Sequence, residues 1–216
     1  MIKPWPGLPI LMVSMLLIPL SGFAVPFQVE AGYTRSDVGL YNDGDGFMVG
    51  AGLNVLTSDG PVDLTVTLEY VLRAGSQPRY FSDPDAGLVL GDAEVKLHYL
   101  QPAAFVGWTL SVGKVGIRPY AGFSLALKLS ENWTQPTGET SGQYSYEDTD
   151  FLGHAGITVG LSPVFLDARF SFGFNGQLID GTFPAGKVAE DPAAGVGSAE
   201  DGAKVSGFQA GLGVKF

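Results

Sequence analysis

From Val62 to Leu72 every second residue is apolar. Val62, Leu64, Val66, Leu68, Tyr70 and Leu72 alternate with Asp63, Thr65, Thr67, Glu69 and Arg73. A period of two is the signature of a strand whose two faces meet different surroundings. The same pattern recurs along the chain. Val115, Ile117, Pro119, Ala121, Phe123, Leu125 and Leu127 carry it, as do Val164, Leu166, Ala168, Phe170, Phe172 and Phe174. Phe208, Ala210, Leu212, Val214 and Phe216 repeat it at the end. Shorter instances lie at Phe27–Tyr33, Phe47–Val55, Val95–Tyr99 and Phe151–Leu161. Helical periodicity is not found beyond Val25. Eight antiparallel strands are therefore expected.

One strand carries an apparent fault. Val95, Leu97 and Tyr99 are apolar at odd positions, whereas Ala104, Val106 and Trp108 are apolar at even ones. A slip of one residue exchanges the two faces of a strand. A β-bulge is therefore expected at Gln101-Pro102, where a proline is tolerated.

The connections alternate in length. Ser58-Asp59-Gly60, Ser111-Val112-Gly113 and Ser162-Pro163 read as tight turns. Residues 75–91, 129–148 and 176–203 read as long polar loops, and 35–45 as a shorter one. Short turns at one rim and long loops at the other, with an even number of strands, characterise transmembrane barrels. A soluble barrel has the same period with its faces reversed. The polar face decides between them. It is rich in small residues, among them Gly116, Gly122, Ser124, Gly156, Thr158, Gly160, Ser171 and Gly173. These suit the crowded interior of an eight-stranded barrel better than an exposed surface. Closure is required as well, because an open sheet edge in lipid strands unpaired backbone groups at several kcal/mol each. The expected fold is an all-β, eight-stranded, antiparallel up-and-down transmembrane β-barrel. Aromatics at strand ends, such as Tyr70, Trp108, Phe151 and Phe174, fit interfacial girdles.

Before the first strand the chain reads as a cleavable signal peptide. Lys3 supplies the positive start, Leu8–Leu20 an apolar core, and Gly22 and Ala24 the small residues at the cleavage site. Residues 1–24 would be removed and 25–216 would form one barrel domain, with both mature termini on the periplasmic side. The formal net charge of -10 leaves no basic surface for nucleic acid. Cysteine is absent from the sequence, so disulfides and thiolate metal sites are excluded. No cofactor is expected.

Ten charged or titratable residues fall on the polar face: Asp63, Glu69, Arg73, Glu94, Lys96, His98, Arg118, Lys128, Asp167 and Arg169. Both signs occur on adjacent strands, so cross-strand pairs can form. Buried charges must be paired, and so narrow an interior is normally filled. These residues are expected to form a plug of salt bridges; a narrow ion path is the alternative. A lipid A-modifying enzyme is a second alternative, with His98 and His154 as the only histidines. A serine two residues away, as a nucleophile-and-base site on one strand would need, is found beside neither, which leaves a serine from a neighbouring strand as the one route to such a site. Asn42-Asp43-Gly44-Asp45-Gly46 resembles the start of a calcium loop, but the twelfth position from Asp43 is Asn54, where a bidentate Glu is needed. A tight Asp-Gly turn is expected there instead.

Glu94-Val95-Lys96-Leu97-His98-Tyr99-Leu100-Gln101-Pro102, followed by Val115-Gly116-Ile117-Arg118-Pro119-Tyr120-Ala121-Gly122, resembles the PorT-like outer-membrane β-barrel domain family. Phe151-Leu152-Gly153-His154-Ala155-Gly156 is similar to its next strand. Phe216, with apolar residues at alternate positions before it, resembles the signal read by the barrel assembly machinery. The resemblance implies an eight-stranded barrel in a Gram-negative outer membrane, surrounded by lipid and lipopolysaccharide. It implies no single activity. The expected role is structural or interactive and non-enzymatic, with mobile acidic loops facing outward toward an external partner.

Overall fold

The computed structural model describes residues 26–38, 42–57, 62–83, 87–134, 148–174 and 205–216. The strands are β1 (Phe27–Val38), β2 (Asn42–Thr57), β3 (Val62–Asp83), β4 (Gly87–Trp108), β5 (Leu110–Val112), β6 (Val115–Thr134), β7 (Thr149–Leu161), β8 (Val164–Gly173) and β9 (Val205–Lys215). The three-residue β5 continues β4 after Thr109 and turns through Gly113, at φ 64°, into β6. β4 and β5 thus form one stave, giving eight staves among the described residues. Each stave pairs antiparallel with the next.

The sheet closes on itself. β1 pairs with β9 from Gln28↔Lys215 to Val38↔Val205. At the foot of this seam the Phe216 amide donates to the Phe27 carbonyl at 2.7 Å, and the two rings lie 6.2 Å apart. No edge of the barrel wall is left open in the bilayer, as a membrane-spanning sheet requires.

The alternation sorts the side chains as expected over most of the wall. Leu166 and Leu212 are 60% and 55% exposed and point outward, as do Ile157, Phe170 and Val106. Thr65, Thr67, Glu69, Ser124, Asp167, Arg169 and Ser171 point inward and are buried. In water this outer face would be a large apolar patch. In a bilayer it is the lipid-facing belt.

The expected bulge at Gln101-Pro102 does not occur. β3 and β4 stay in one register from Val62↔Trp108 to Asp83↔Gly87. Gln101 points inward at 0% exposure and Pro102 points outward. Toward β6 the ladder passes over Gln101 and Pro102 and resumes at Ala103↔Ser124 in unchanged register. The missing proline amide is thus accommodated by a gap rather than by an inserted residue. The true irregularity lies on β6: His98 faces Ser130 but Tyr99 faces Lys128, which makes Leu129 the extra residue.

What changes along β4 is the solvent, not the backbone. Leu100, Pro102, Ala104, Val106 and Trp108 face outward, whereas Val95, Leu97 and Tyr99 face inward and are fully buried. Glu94 and Lys96 at the same height are exposed outside. Below this level the surroundings are lipid and the outer face is apolar. Above it they are water, and the apolar residues move inside as in any soluble domain.

The strands also run further than the alternation indicated. Residues 75–83 and 87–91 are paired strand rather than loop. β6 reaches Thr134, and residues 42–45 belong to β2 rather than to a tight turn. Backbone pairing outside the membrane needs no two-faced pattern, so periodicity could not reveal it. The signal peptide, the Ser58-Asp59-Gly60 turn and the 176–203 loop lie outside the described residues.

Candidate functional site in the barrel lumen

The inward residues form three tiers. At the end of the barrel where Phe27 and Phe216 lie, Arg118 of β6 reaches Asp63 of β3. Its Nε donates to both carboxylate oxygens at 2.8 and 2.9 Å, and Nη2 donates to Asp63 and to Thr65 Oγ1, the latter at 3.1 Å. Thr109 Oγ1 donates to Asp63 at 3.1 Å. This forked arrangement is the stronger kind of ion pair. Gly107 makes room for it, since a Cβ there would lie 2.3 Å from Arg118 Nε.

The middle tier centres on Arg169 of β8, whose side chain is 2% exposed. Its Nη1 donates to Glu69 Oε1 at 2.9 Å, and Thr67 donates to the same oxygen at 3.0 Å. Its guanidinium lies 5.0 Å above the Phe105 ring. Asp167 accepts from Tyr120 at 2.7 and 2.8 Å and from Thr158 at 2.9 Å.

The upper tier holds Arg73, which donates to Gln101 Oε1 at 3.1 Å, stands 3.9 Å from Asp150 and covers the Tyr99 ring at 4.8 Å. Beside it His154 bridges two serines, with Nε2 2.7 Å from Ser124 Oγ and Nδ1 2.8 Å from Ser171 Oγ. Around these groups Met48, Val71, Val95, Leu97, Tyr99, Ala126 and Leu152 pack into an apolar cluster at the level of Arg73 and Asp150.

Asp63, Glu69, Arg73, Arg118, Asp167 and Arg169 therefore meet inside the barrel. Lys128 also points inward, near the outer rim, with Glu131 at 3.1 Å and Asp148 at 3.3 Å. Three expected lumen residues are elsewhere. Glu94, Lys96 and His98 lie on the outer face, because the strand carries no slip and parity places them there. Glu94 and Lys96 stand 3.9 Å apart in the open, and His98 Nδ1 shares a hydrogen bond with the Tyr70 hydroxyl. Phe216 is exposed on the outer face at the seam.

Sequence reasoning passed over Glu30, Lys215, Gln101, Tyr120, Asp150 and the Ser124–His154–Ser171 group. Parity alone would have placed Glu30 inside, since it sits between the outward Val29 and Ala31. The serine–histidine group needed the register: Gly122 faces His154 and His154 faces Ser171.

The corrected parity has a direct check. The chain has no cysteine, so single-cysteine variants report cleanly. Lys96→Cys on intact cells is expected to react with a membrane-impermeant maleimide, and Val95→Cys is expected to stay unlabelled. Labelling of Val95→Cys alone would restore the slipped strand.

No protein-family profile and no curated protein matches the sequence. Solved structures do. Neisserial surface protein A is 17% identical with a TM-score of 0.52, over 89% of this chain and 97% of that one. A major outer membrane protein from Thermus thermophilus is also 17% identical, with a TM-score of 0.50, over 90% of this chain and 100% of the other. The chain has the fold of the small bacterial outer-membrane barrels. At this identity the likeness carries the fold and nothing narrower. Joined to the apolar belt on its outer face, that fold makes the chain an integral outer-membrane protein.

Proposed function

We propose that this barrel serves a structural or interactive role and is neither a channel nor an enzyme. The filled lumen carries this reading. Three tiers of paired charge span it, and an apolar cluster packs around the upper one. The cavity among the middle residues has a volume of ≈ 20 Å³, little more than one water needs. An ion crossing here would have to break buried pairs and then pass Leu97 and Leu152.

Catalysis is disfavoured on geometric grounds. The Ser124–His154 contact has the spacing of a nucleophile and its base, but both residues are buried inside the barrel. Neither lipid outside nor solute above reaches them.

Contacts outward therefore supply the role: lipid and lipopolysaccharide around the belt, and an external partner at the loops. Membership of the PorT-like family rests on the short motifs around Pro102, Pro119 and Gly153. The remaining expectations stand as parts of the same proposal: removal of residues 1–24, periplasmic termini, and recognition of the closing strand by the assembly machinery.

Planar-bilayer recording of the purified protein tests the main point. No steady open channel is expected. Arg118→Ala is expected to unfold at lower denaturant concentration and still not conduct. Steady unitary currents from the unaltered protein would reverse the proposal in favour of a pore. Deleting Phe216 removes the backbone bonds to Phe27 at the seam. That variant is expected to show less heat-modifiable, surface-exposed barrel in cells, and an undiminished amount would remove Phe216 as an assembly signal.

A further inference from the structure

The lining of the middle tier's small cavity carries four buried polar atoms that have no hydrogen-bond partner among the described residues; Gln209 Oε1, opposite Arg169 on β9, is a further such atom of this tier but lies outside that lining. Arg169 contributes two donors, Nε and Nη2; Glu30 and Glu69 contribute one acceptor each, Oε1 and Oε2. All three residues line the ≈ 20 Å³ cavity. Arg169 and Glu69 are each only 2% exposed, so bulk water does not satisfy them. Six of the other polar residues of that wall are already engaged, while Gln28 and Lys215 line it as well. Tyr120 and Thr158 donate to Asp167, Thr67 donates to Glu69, and Arg118 is held by Asp63 and Thr65.

We infer that this cavity is a binding site for one ordered water molecule, which joins Glu30 on β1 to Arg169 on β8 and Glu69 on β3. The stoichiometry of hydrogen bonding selects water. A water oxygen accepts two hydrogen bonds and its two O–H groups donate two. The four unpartnered atoms are two donors and two acceptors. Nε and Nη2 share one edge of the guanidinium, while Nη1 at the other end holds Glu69 Oε1. That edge directs both N–H groups toward one acceptor. A cation in this place would meet the arginine, and a halide would meet two carboxylates. A neutral molecule of both characters meets neither objection. The size agrees, because about 10–15 Å³ suffices for one water.

The site has a mechanical consequence. Among the described residues, Glu30 is the one acidic side chain that seam strand β1 sends into the middle tier. A bridging water would connect it to the ion pair across the lumen, and so anchor the closing seam to the plug from within.

A crystal structure of the unaltered protein at water-resolving resolution is the test, paired with crystals grown in bromide. The expected result is one density peak, at about 2.7–3.2 Å from Arg169, Glu30 and Glu69, with no anomalous bromide signal. A bromide peak there would overturn the inference. So would a direct Arg169–Glu30 contact, or a cavity without density. As a second readout in nanodiscs, Arg169 Nε–H is expected to show magnetisation transfer from a bound water. Glu30→Met is expected to weaken that transfer, and an unchanged signal would count against the bridge.

Discussion

Arg169→Ala is expected to cost about 3–5 kcal/mol of barrel stability, the usual range for removing one partner of a buried ion pair. Glu69 would lose the guanidinium held at 2.9 Å, and Asp167, 3.9 Å away, would lose its nearest cation. The Phe105 ring would also lose its cationic cover. Denaturant unfolding in lipid vesicles, followed by gel mobility or tryptophan fluorescence, measures the loss. The companion variant carries Arg169→Met and Glu69→Met together. Replacing both partners with apolar side chains of similar length removes the uncompensated charge, so the double variant is expected to lose less than Arg169→Ala alone. If the double variant fell as far or further, the energy would not lie in the charge pair.

The second large effect lies on the other side of the wall. Ile157, in the middle of β7, faces outward between Pro119 and Ala168. Ile157→Arg places a cation in the lipid-facing belt, at a cost of about 2–4 kcal/mol near the midplane. Asn132→Arg supplies the contrast. Asn132 faces outward above the level at which β4 changes from apolar to polar outside, where the cost falls to about 0–1 kcal/mol. Equal losses at the two positions would mean that the apolar belt is not the part that meets lipid.

These two variants also mark what could be read from sequence. Positions such as Ile157, Leu166 and Asp167 were legible because a two-faced strand prints its surroundings at every second residue. The eight staves, their closure and most of the lumen charge followed from that pattern. Glu94, Lys96 and His98 were misplaced for the same reason. Alternation reports which side is apolar, and along β4 the apolar side changes from outer to inner while the backbone runs straight. A pattern of hydrophobicity cannot separate a shift of the chain from a shift of the medium. The true irregularity at Leu129 was invisible, because Leu127 and Leu129 continue the outward apolar series across it. His154 with Ser124 and Ser171 was beyond reach for another reason: the three share no local spacing and meet only through the registers of β6, β7 and β8.

The β1–β9 seam bears on how such a barrel comes into being. Every other stave contact joins neighbours in the chain, and local pairing of that kind forms fast. The seam joins the first strand to the last, so its loop-closure entropy is met in a single late event. Until β9 arrives, β1 keeps a row of unpaired amides and carbonyls that lipid cannot solvate. The nascent sheet is thus committed topologically before it is committed thermodynamically. Lesions in β9 should therefore act on the yield of finished barrels more than on the robustness of those that close.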